Sequence, residues 1–372
     1  MSTATATRFE LRPLTIPQTT DAADAGDFLE MARIRNLVYR EISGRDDHRL
    51  PADELLPFCR SDQDERRMLW LVMRDNAAVG RVGVGLPQEN GSRVAFWFIE
   101  LRRDVWGSGL GSAAYDLVER TAYQHGRSVL QSWAEHPAAL GQRLAAPTGY
   151  GDIPVDHAAR FLLHRGHTLE QIERISALEL PGSDAHVDRL LTQAGEASSD
   201  YRVVRWFAPT PPERADGYAV LKSRMATDAP AAGLEFDEEA WDAERVARHD
   251  AQYVEPGRTL LVTAAEHIAT GRLCAFNELA IGKDRTEATH QHDTLVLTEH
   301  RGHRLGMLVK CDALRTWRGI APRSPRVITY NAEENRPMLA INEAIGFAPI
   351  AYEGAWKKVL KSDRTNTWSR SK

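Results

Sequence analysis

The sequence predicts an α/β protein of two tandem domains, each a mixed, largely antiparallel sheet flanked by helices. Three observations carry this. The chain has 372 residues, more than one ordinary domain of roughly 100–200 residues holds. The order of strand-like and helical patterns in the first half returns past the midpoint, and self-similarity at that scale marks duplication. Each half also runs from an apolar strand through a glycine-rich turn into an amphipathic helix.

The elements follow in order. Phe9 to Leu14 reads as a strand, and Phe28, Met31, Ile34, Leu37 and Val38 then recur at helical spacing. LWLVMRD and AVGRVGVGLP flank the turn at Asp75 to Ala77 and predict an antiparallel hairpin. A turn and helix follow from Trp106, and a second helix ends in Gly166 and His167. Residues 181–200 contain a short helical piece bounded by Gly, Ser and Asp and read as a connector, giving domains at 1–181 and 200–372. The second half reopens with a strand, Tyr201 to Phe207, and a helical YAVLKSRM that should stop before ATDAPAAG. TLLVTAAE and GRLCAFNELAI repeat the hairpin, and a strand, turn, helix, strand and helix ending in Gly346 and Phe347 complete the copy.

Composition narrows the function. A formal charge of -5 with both signs interspersed gives no basic face for nucleic acid or anionic lipid. No apolar run approaches the roughly 18 residues of a bilayer span, and the opening MSTATATRFELRPL lacks a secretory pattern. The expectation is a cytoplasmic monomer or homodimer without membrane or nucleic-acid partners. Cys59, Cys274 and Cys311 form no CxxC and fit buried thiols.

The glycine turns carry the chemistry. In the second half Arg301, Gly302, His303, Arg304, Leu305 and Gly306 lie between a strand and a helix whose stripe is Met307, Leu308, Cys311 and Leu314. Glycine permits positive φ and leaves room for a ligand, so backbone N–H groups at a helix start can converge on phosphate oxygens. Tight turns also use glycine for geometry alone. The first-half turn, from Trp106, contains Gly109-Leu-Gly111-Ser-Ala-Ala114, which fits a dinucleotide fingerprint with Glu135 as ribose acid. The second turn has no such pattern.

The second turn resembles the [Q/R]xxGx[G/A] acyl-CoA pyrophosphate loop of the GNAT N-acetyltransferase superfamily. Arg301, Gly302, Arg304 and Gly306 carry the match, and RVITYNAEENRPMLAINEAIGFAPI resembles the superfamily's next block through Asn331, Asn335, Pro337, Asn342, Gly346 and Phe347. The arrangement is similar to that of tandem GNAT proteins such as mycothiol synthase. The resemblance implies a sheet splayed between its fourth and fifth strands, with acetyl-CoA or another acyl-CoA in the gap. The cofactor would meet the strand at Leu295, Val296 and Leu297, the turn from Arg301 to Gly306 with His303, Leu305 and Met307, and the amides of Asn331, Asn335 and Asn342. Asn also favours turns and helix caps. The implied activity is transfer of an acyl group to a primary amine of a small molecule.

Where many family members place a Tyr to protonate the departing thiolate, this chain has Asn342, and Leu162 in the first half. A family carboxylate often stands eight or nine residues before the loop Arg; that count gives Asp293 and His292, with Glu278 on the preceding strand as an alternative base. The same count in the first half gives Phe98 and Trp97, which take no proton, and Trp106 replaces the leading Arg. The second copy is therefore expected to be catalytic and the first diverged or non-catalytic. His290 and His292 share one strand face, as in metal sites, but no Cys or second HxH completes a set, so no metal is expected. A sensor that binds acyl-CoA without turnover would need the loop and no base, and a dinucleotide oxidoreductase would follow from the fingerprint.

Overall fold

Both copies fold by the same local rules, seen in a computed structural model that describes residues 9–182 and 184–361. In the first copy β1 (Phe9–Pro13), α1 (Gly26–Ser43) and α2 (Ala52–Cys59) precede β2 (Glu65–Arg74), β3 (Ala77–Pro87) and β4 (Val94–Leu101). There follow α3 (Leu110–Gln124), β5 (Val129–Glu135), a flap of β6 (Arg143–Ala145) and β7 (Asp152–Pro154), α4 (His157–His164) and β8 (Thr168–Glu179). The connector forms α5 (Asp184–Glu196). The second copy runs β9 (Tyr201–Phe207), α6 (Pro212–Asp228), α7 (Ala243–Val254), β10 (Thr259–His267) and β11 (Leu273–Ile281). It closes with β12 (Thr289–Val296), α8 (Leu305–Ile320), β13 (Arg326–Ala332), α9 (Arg336–Ile345) and β14 (Ala348–Val359).

The hairpins form as their apolar runs predict: β2 pairs antiparallel with β3, and β10 with β11. One helix differs from its expected span. α6 starts at Pro212, inside the turn-rich segment, and continues through Ala226-Thr-Asp228. Proline is favoured in a first helical turn, where its missing N–H costs nothing, and burial of Ala215, Tyr218, Ala219 and Leu221 outweighs the weak local propensity.

The strands join one 12-stranded sheet in the order β1-β2-β3-β4-β5-β14-β8-β13-β12-β11-β10-β9. Each copy's last strand has crossed to its neighbour. β14 pairs antiparallel with β5 from Glu353↔Glu135 to Val359↔Val129, and β8 pairs with β13 from Arg326↔Glu179 to Ala332↔Glu173. The two exchanged strands pair with each other at the centre. The cores follow the exchange. Trp356 of β14 is buried among Val82, Tyr115 and Leu130 of the first copy, and Leu178 of β8 among Trp317 and Val327 of the second.

Candidate active site

The splay has a direct backbone signature in both copies. β4 and β5 run parallel and pair only at Val94↔Val129, Ala95↔Leu130 and Phe96↔Gln131, although β4 continues to Leu101 and β5 to Glu135. β12 and β13 pair only at Thr289↔Val327, His290↔Ile328 and Gln291↔Thr329 before they part. Past these points two backbone edges face each other unpaired across the gap, and buried polar edges of this kind call for a partner.

The two turns share one conformation. Gly107 has φ 73° and Gly109 φ 89°; their counterparts Gly302 and Arg304 have φ 87° and 54°. The second left-handed residue is the N-cap of α3 and of α8 respectively, and neither makes a side-chain cap, so the first N–H groups of each helix are left without an intrahelical partner. Gly306 is small for a packing reason as well, since a Cβ there would lie 3.0 Å from Ile341 of α9. The turn that carries the dinucleotide fingerprint does sit in a parallel unit, β4–α3–β5. But β4 follows the antiparallel strands β2 and β3 and parts from β5 after three residue pairs, unlike the continuous parallel sheet of a dinucleotide-binding fold.

In the first copy the gap opens into a chamber of about 1090 Å³. Its lining joins Trp106, Gly107, Gly109, Gly111 and Ser112 of the turn and helix start, Trp97 to Leu101 of β4, Ser132 to Glu135 of β5, and Tyr39, Tyr330 and Glu353. The last two come from β13 and β14 of the second copy. Trp106 stacks on His157 with ring centroids 4.4 Å apart. Glu100 is held by a bidentate pair with Arg81 at 2.6 and 2.8 Å. Glu135 lies 3.5 Å from Arg45, and Glu173 accepts from the Trp133 indole at 2.7 Å. Among the described residues no donor reaches the Glu353 carboxylate. Burial, then the neighbouring Glu173 and Glu135 charges, raise its pKa to about 8.

In the second copy Glu278, His292 and Asp293 come together beside α6. Lys222 lies 3.2 Å from Glu278 and 2.5 Å from Asp293, and the Tyr218 hydroxyl donates to Glu278. Burial favours the neutral acid at Glu278, but Lys222, His249 and Tyr218 outweigh it and hold the group below the usual carboxylate range. His292 is exposed in the strand, with Tyr253 and His290 beside its ring at centroid distances of 5.9 and 6.2 Å. Crowding by these rings, followed by the Arg258 cation, lowers its pKa, although its exposure to solvent limits the effect.

The residues expected to meet the cofactor spread along the second splay. Leu295 and Val296 pair with Phe276 and Ala275, and the Leu297 N–H donates to Cys274. The Arg301 guanidinium reaches the Val296 carbonyl at 3.4 Å, and the His303 carbonyl accepts from Ser198. Leu305 is buried in the second core with Met307 packed against it. Asn335 caps α9, accepting from the Met338 N–H. Asn342 is buried, donates to Asn331 at 2.6 Å and accepts from Lys310 at 2.9 Å.

Tyr330 and Glu353 escaped the sequence reading. Both lie within the second copy, and spacing inside that copy cannot show that strand exchange turns them toward the first. Glu100 and Glu135 were reachable, Glu135 having been weighed only as a ribose acid.

Residues 29–142, within the first copy, match the acetyltransferase (GNAT) family. No curated protein matches the chain significantly in sequence. Among solved structures the chain is similar to a tandem GNAT protein from the clavulanic acid biosynthesis pathway, at 23% identity and a TM-score of 0.70 over 95% of this chain and 98% of that one. It is also similar to a GCN5-related N-acetyltransferase from Sphaerobacter thermophilus, at 15% identity and a TM-score of 0.60 over 94% and 95% of the two chains. Residues 29–142 thus match the GNAT family within the first copy, and the chain as a whole shares the fold of a tandem GNAT protein.

Proposed function

We propose that the chain transfers an acyl group from acyl-CoA, acetyl-CoA in the simplest case, to a primary amine of a small molecule. The observation that carries this is the first-copy chamber, which joins an anion-binding helix start to a carboxylate-lined wall through two unpaired strand edges. The N–H groups at the start of α3 suit the pyrophosphate, and the strand edges suit the pantetheine amides. A volume of about 1090 Å³ is at the upper end of small-molecule sites, generally about 300–1,000 Å³, which fits two substrates. In the reaction the amine nitrogen bonds to the acyl carbon, the C–S bond breaks with its electron pair on sulfur, and one amine proton passes to a base.

The second turn has the same backbone form, so acyl-CoA is proposed there too, held by the stretch from Arg301 to Gly306. Chemistry is assigned to the first copy for a physical reason. Glu278 and Asp293 are committed to Lys222, and His292 stands exposed beside the Arg258 cation, which lowers its proton affinity. The first chamber holds a carboxylate without such a partner.

The test measures acetyl-CoA binding by thermal shift and thiol release with a panel of amines, for wild type, Ser112→Glu and Arg301→Ala. Ser112 is exposed in the first turn of α3, where an added carboxylate suits the helix dipole but repels a pyrophosphate. Amine-dependent thiol release lost in Ser112→Glu and kept in Arg301→Ala is expected. Loss only in Arg301→Ala would move the chemistry to the second copy, and binding without release for any amine would make the protein a sensor.

A further inference from the structure

Strand exchange places an unexpected row of acids across the seam of the two copies. β14 lies between β5 and β8, and its register sets Glu353 directly opposite Glu135 on one side and Glu173 on the other. Directly paired residues share a sheet face, with Cβ atoms about 4.5–5.5 Å apart, and like charges there repel. The outer two acids have neighbours that offset charge: Arg45 stands 3.5 Å from Glu135, and Trp133 donates to Glu173 at 2.7 Å. The middle one has none among the described residues, and it opens into the chamber beside Tyr39 and Tyr330.

We infer that Glu353, supplied by the second copy, is the proton acceptor for acyl transfer in the first copy's chamber, and that its acidic row binds the acceptor as an ammonium ion. The inference rests on the acyltransfer reading above. An unpaired carboxylate between two others is unfavourable until a cation arrives, so the row is built for a ligand that carries positive charge. The bound ammonium gives one proton to Glu353. Its nitrogen then attacks the acyl carbon, and the C–S bond breaks with its electron pair on sulfur. The nitrogen gives up its second proton to solvent as the amide forms, and the thiolate takes a proton from solvent, to which Glu353 returns its own. An amine with a carboxylate on the adjacent carbon would set that charge against three others, so alkylamines and amino sugars should outrank α-amino acids.

The protonation state of Glu353 follows the groups that face it. Glu135 from β5, with Arg45 and Asp47 beyond it, Glu173 from β8, Tyr330 from β13 and Tyr39 from α1 all bear on it. With its pKa near 8, the group matches the proton affinity of an amine better than an ordinary carboxylate would.

The experiment follows acetyl-CoA turnover against pH with one saturating amine for wild type, Glu353→Gln, Glu353→Asp and Glu135→Gln, with acetyl-CoA thermal shifts alongside. Because no described residue bonds the Glu353 carboxylate, the Gln variant should fold. Glu353→Gln should lose about a hundredfold or more in turnover and keep its acetyl-CoA shift, and Glu353→Asp should recover part of the rate. Glu135→Gln should move the low-pH limb downward, because one like charge next to the base is gone. Near wild-type turnover in Glu353→Gln, or an unmoved limb in Glu135→Gln, overturns the role of Glu353 while leaving acyl transfer in place. No amine-dependent release by wild type overturns both.

Discussion

A single side chain can carry much of the pH response of this fold. Lys310 of α8 is fully buried, and its ammonium donates only to the Asn342 amide among the described residues. Burial pushes its pKa down to about 7, against about 10.4 in an unfolded chain. Between those values the unfolded state binds more protons than the folded one, so this group makes stability rise with pH, by up to about 1.4 kcal/mol per unit. Below about 7 both states carry the proton and the burial penalty is fully present. Lys310→Met should remove that slope: the difference in unfolding free energy between variant and wild type, measured from denaturant curves, is expected to shrink steadily from pH 7 to pH 10. A difference constant across that range would place the Lys310 pKa outside it. Residues that act on their own neighbours in sequence were legible at this scale. Asn335 caps its helix, as its type allows, and the turn glycines take positive φ. The Lys310 to Asn342 to Asn331 chain was not, because burial and cross-element geometry decide it.

Elements are fixed to each other by a few charged pins. Lys222 of α6 reaches both Glu278 of β11 and Asp293 of β12, so one ammonium ties a helix to two strands. Glu278 is 1% exposed and Asp293 only partly covered, so the two pairs differ in weight. Removing Lys222 leaves the Glu278 charge buried with the Tyr218 hydroxyl alone, and breaking a buried pair from one side costs about 3–5 kcal/mol. Lys222→Met should therefore lower the melting temperature clearly. Adding Glu278→Gln should restore part of the loss, since the stranded charge goes with it. A double variant no more stable than Lys222→Met would show that the other contacts of the ammonium, which lies over the Trp241 and Phe276 rings, matter more than the stranded Glu278 charge. At this scale hairpins, glycine turns and long helices were readable from period and turn residues. α7 was not picked out, though Asp242 caps it through the Arg245 N–H and Val246, Asp250 and Tyr253 recur at helical spacing on its buried face. Its many charged residues diluted that pattern.

The order of elements across the whole molecule revealed the duplication, but not the exchange of last strands. Both copies end in the same helix and strand, so either pairing, within a copy or across copies, satisfies the same local pattern. The difference is global. Because β14 completes the first sheet and β8 the second, each copy takes part of its core from the other, including fully buried Trp356 and Ile175. A chain cut in the connector should then stay whole. We expect a protease site engineered between residues 180 and 184 to give, after cleavage, two fragments that elute together in native buffer, melt in one transition, and keep the acetyl-CoA shift. Expressed separately, residues 1–181 would leave β5 and β8 each without their β14 edge, and residues 200–372 would leave β13 bare. Open apolar edges of that kind aggregate, so neither fragment should be recovered as a folded monomer, whereas refolding the two together should restore the native elution volume. Fragments that separate after cleavage, each with its own melting transition, would mean that the copies are independent domains. The chamber would then lose Tyr330 and Glu353 from its wall, and cleavage would abolish turnover.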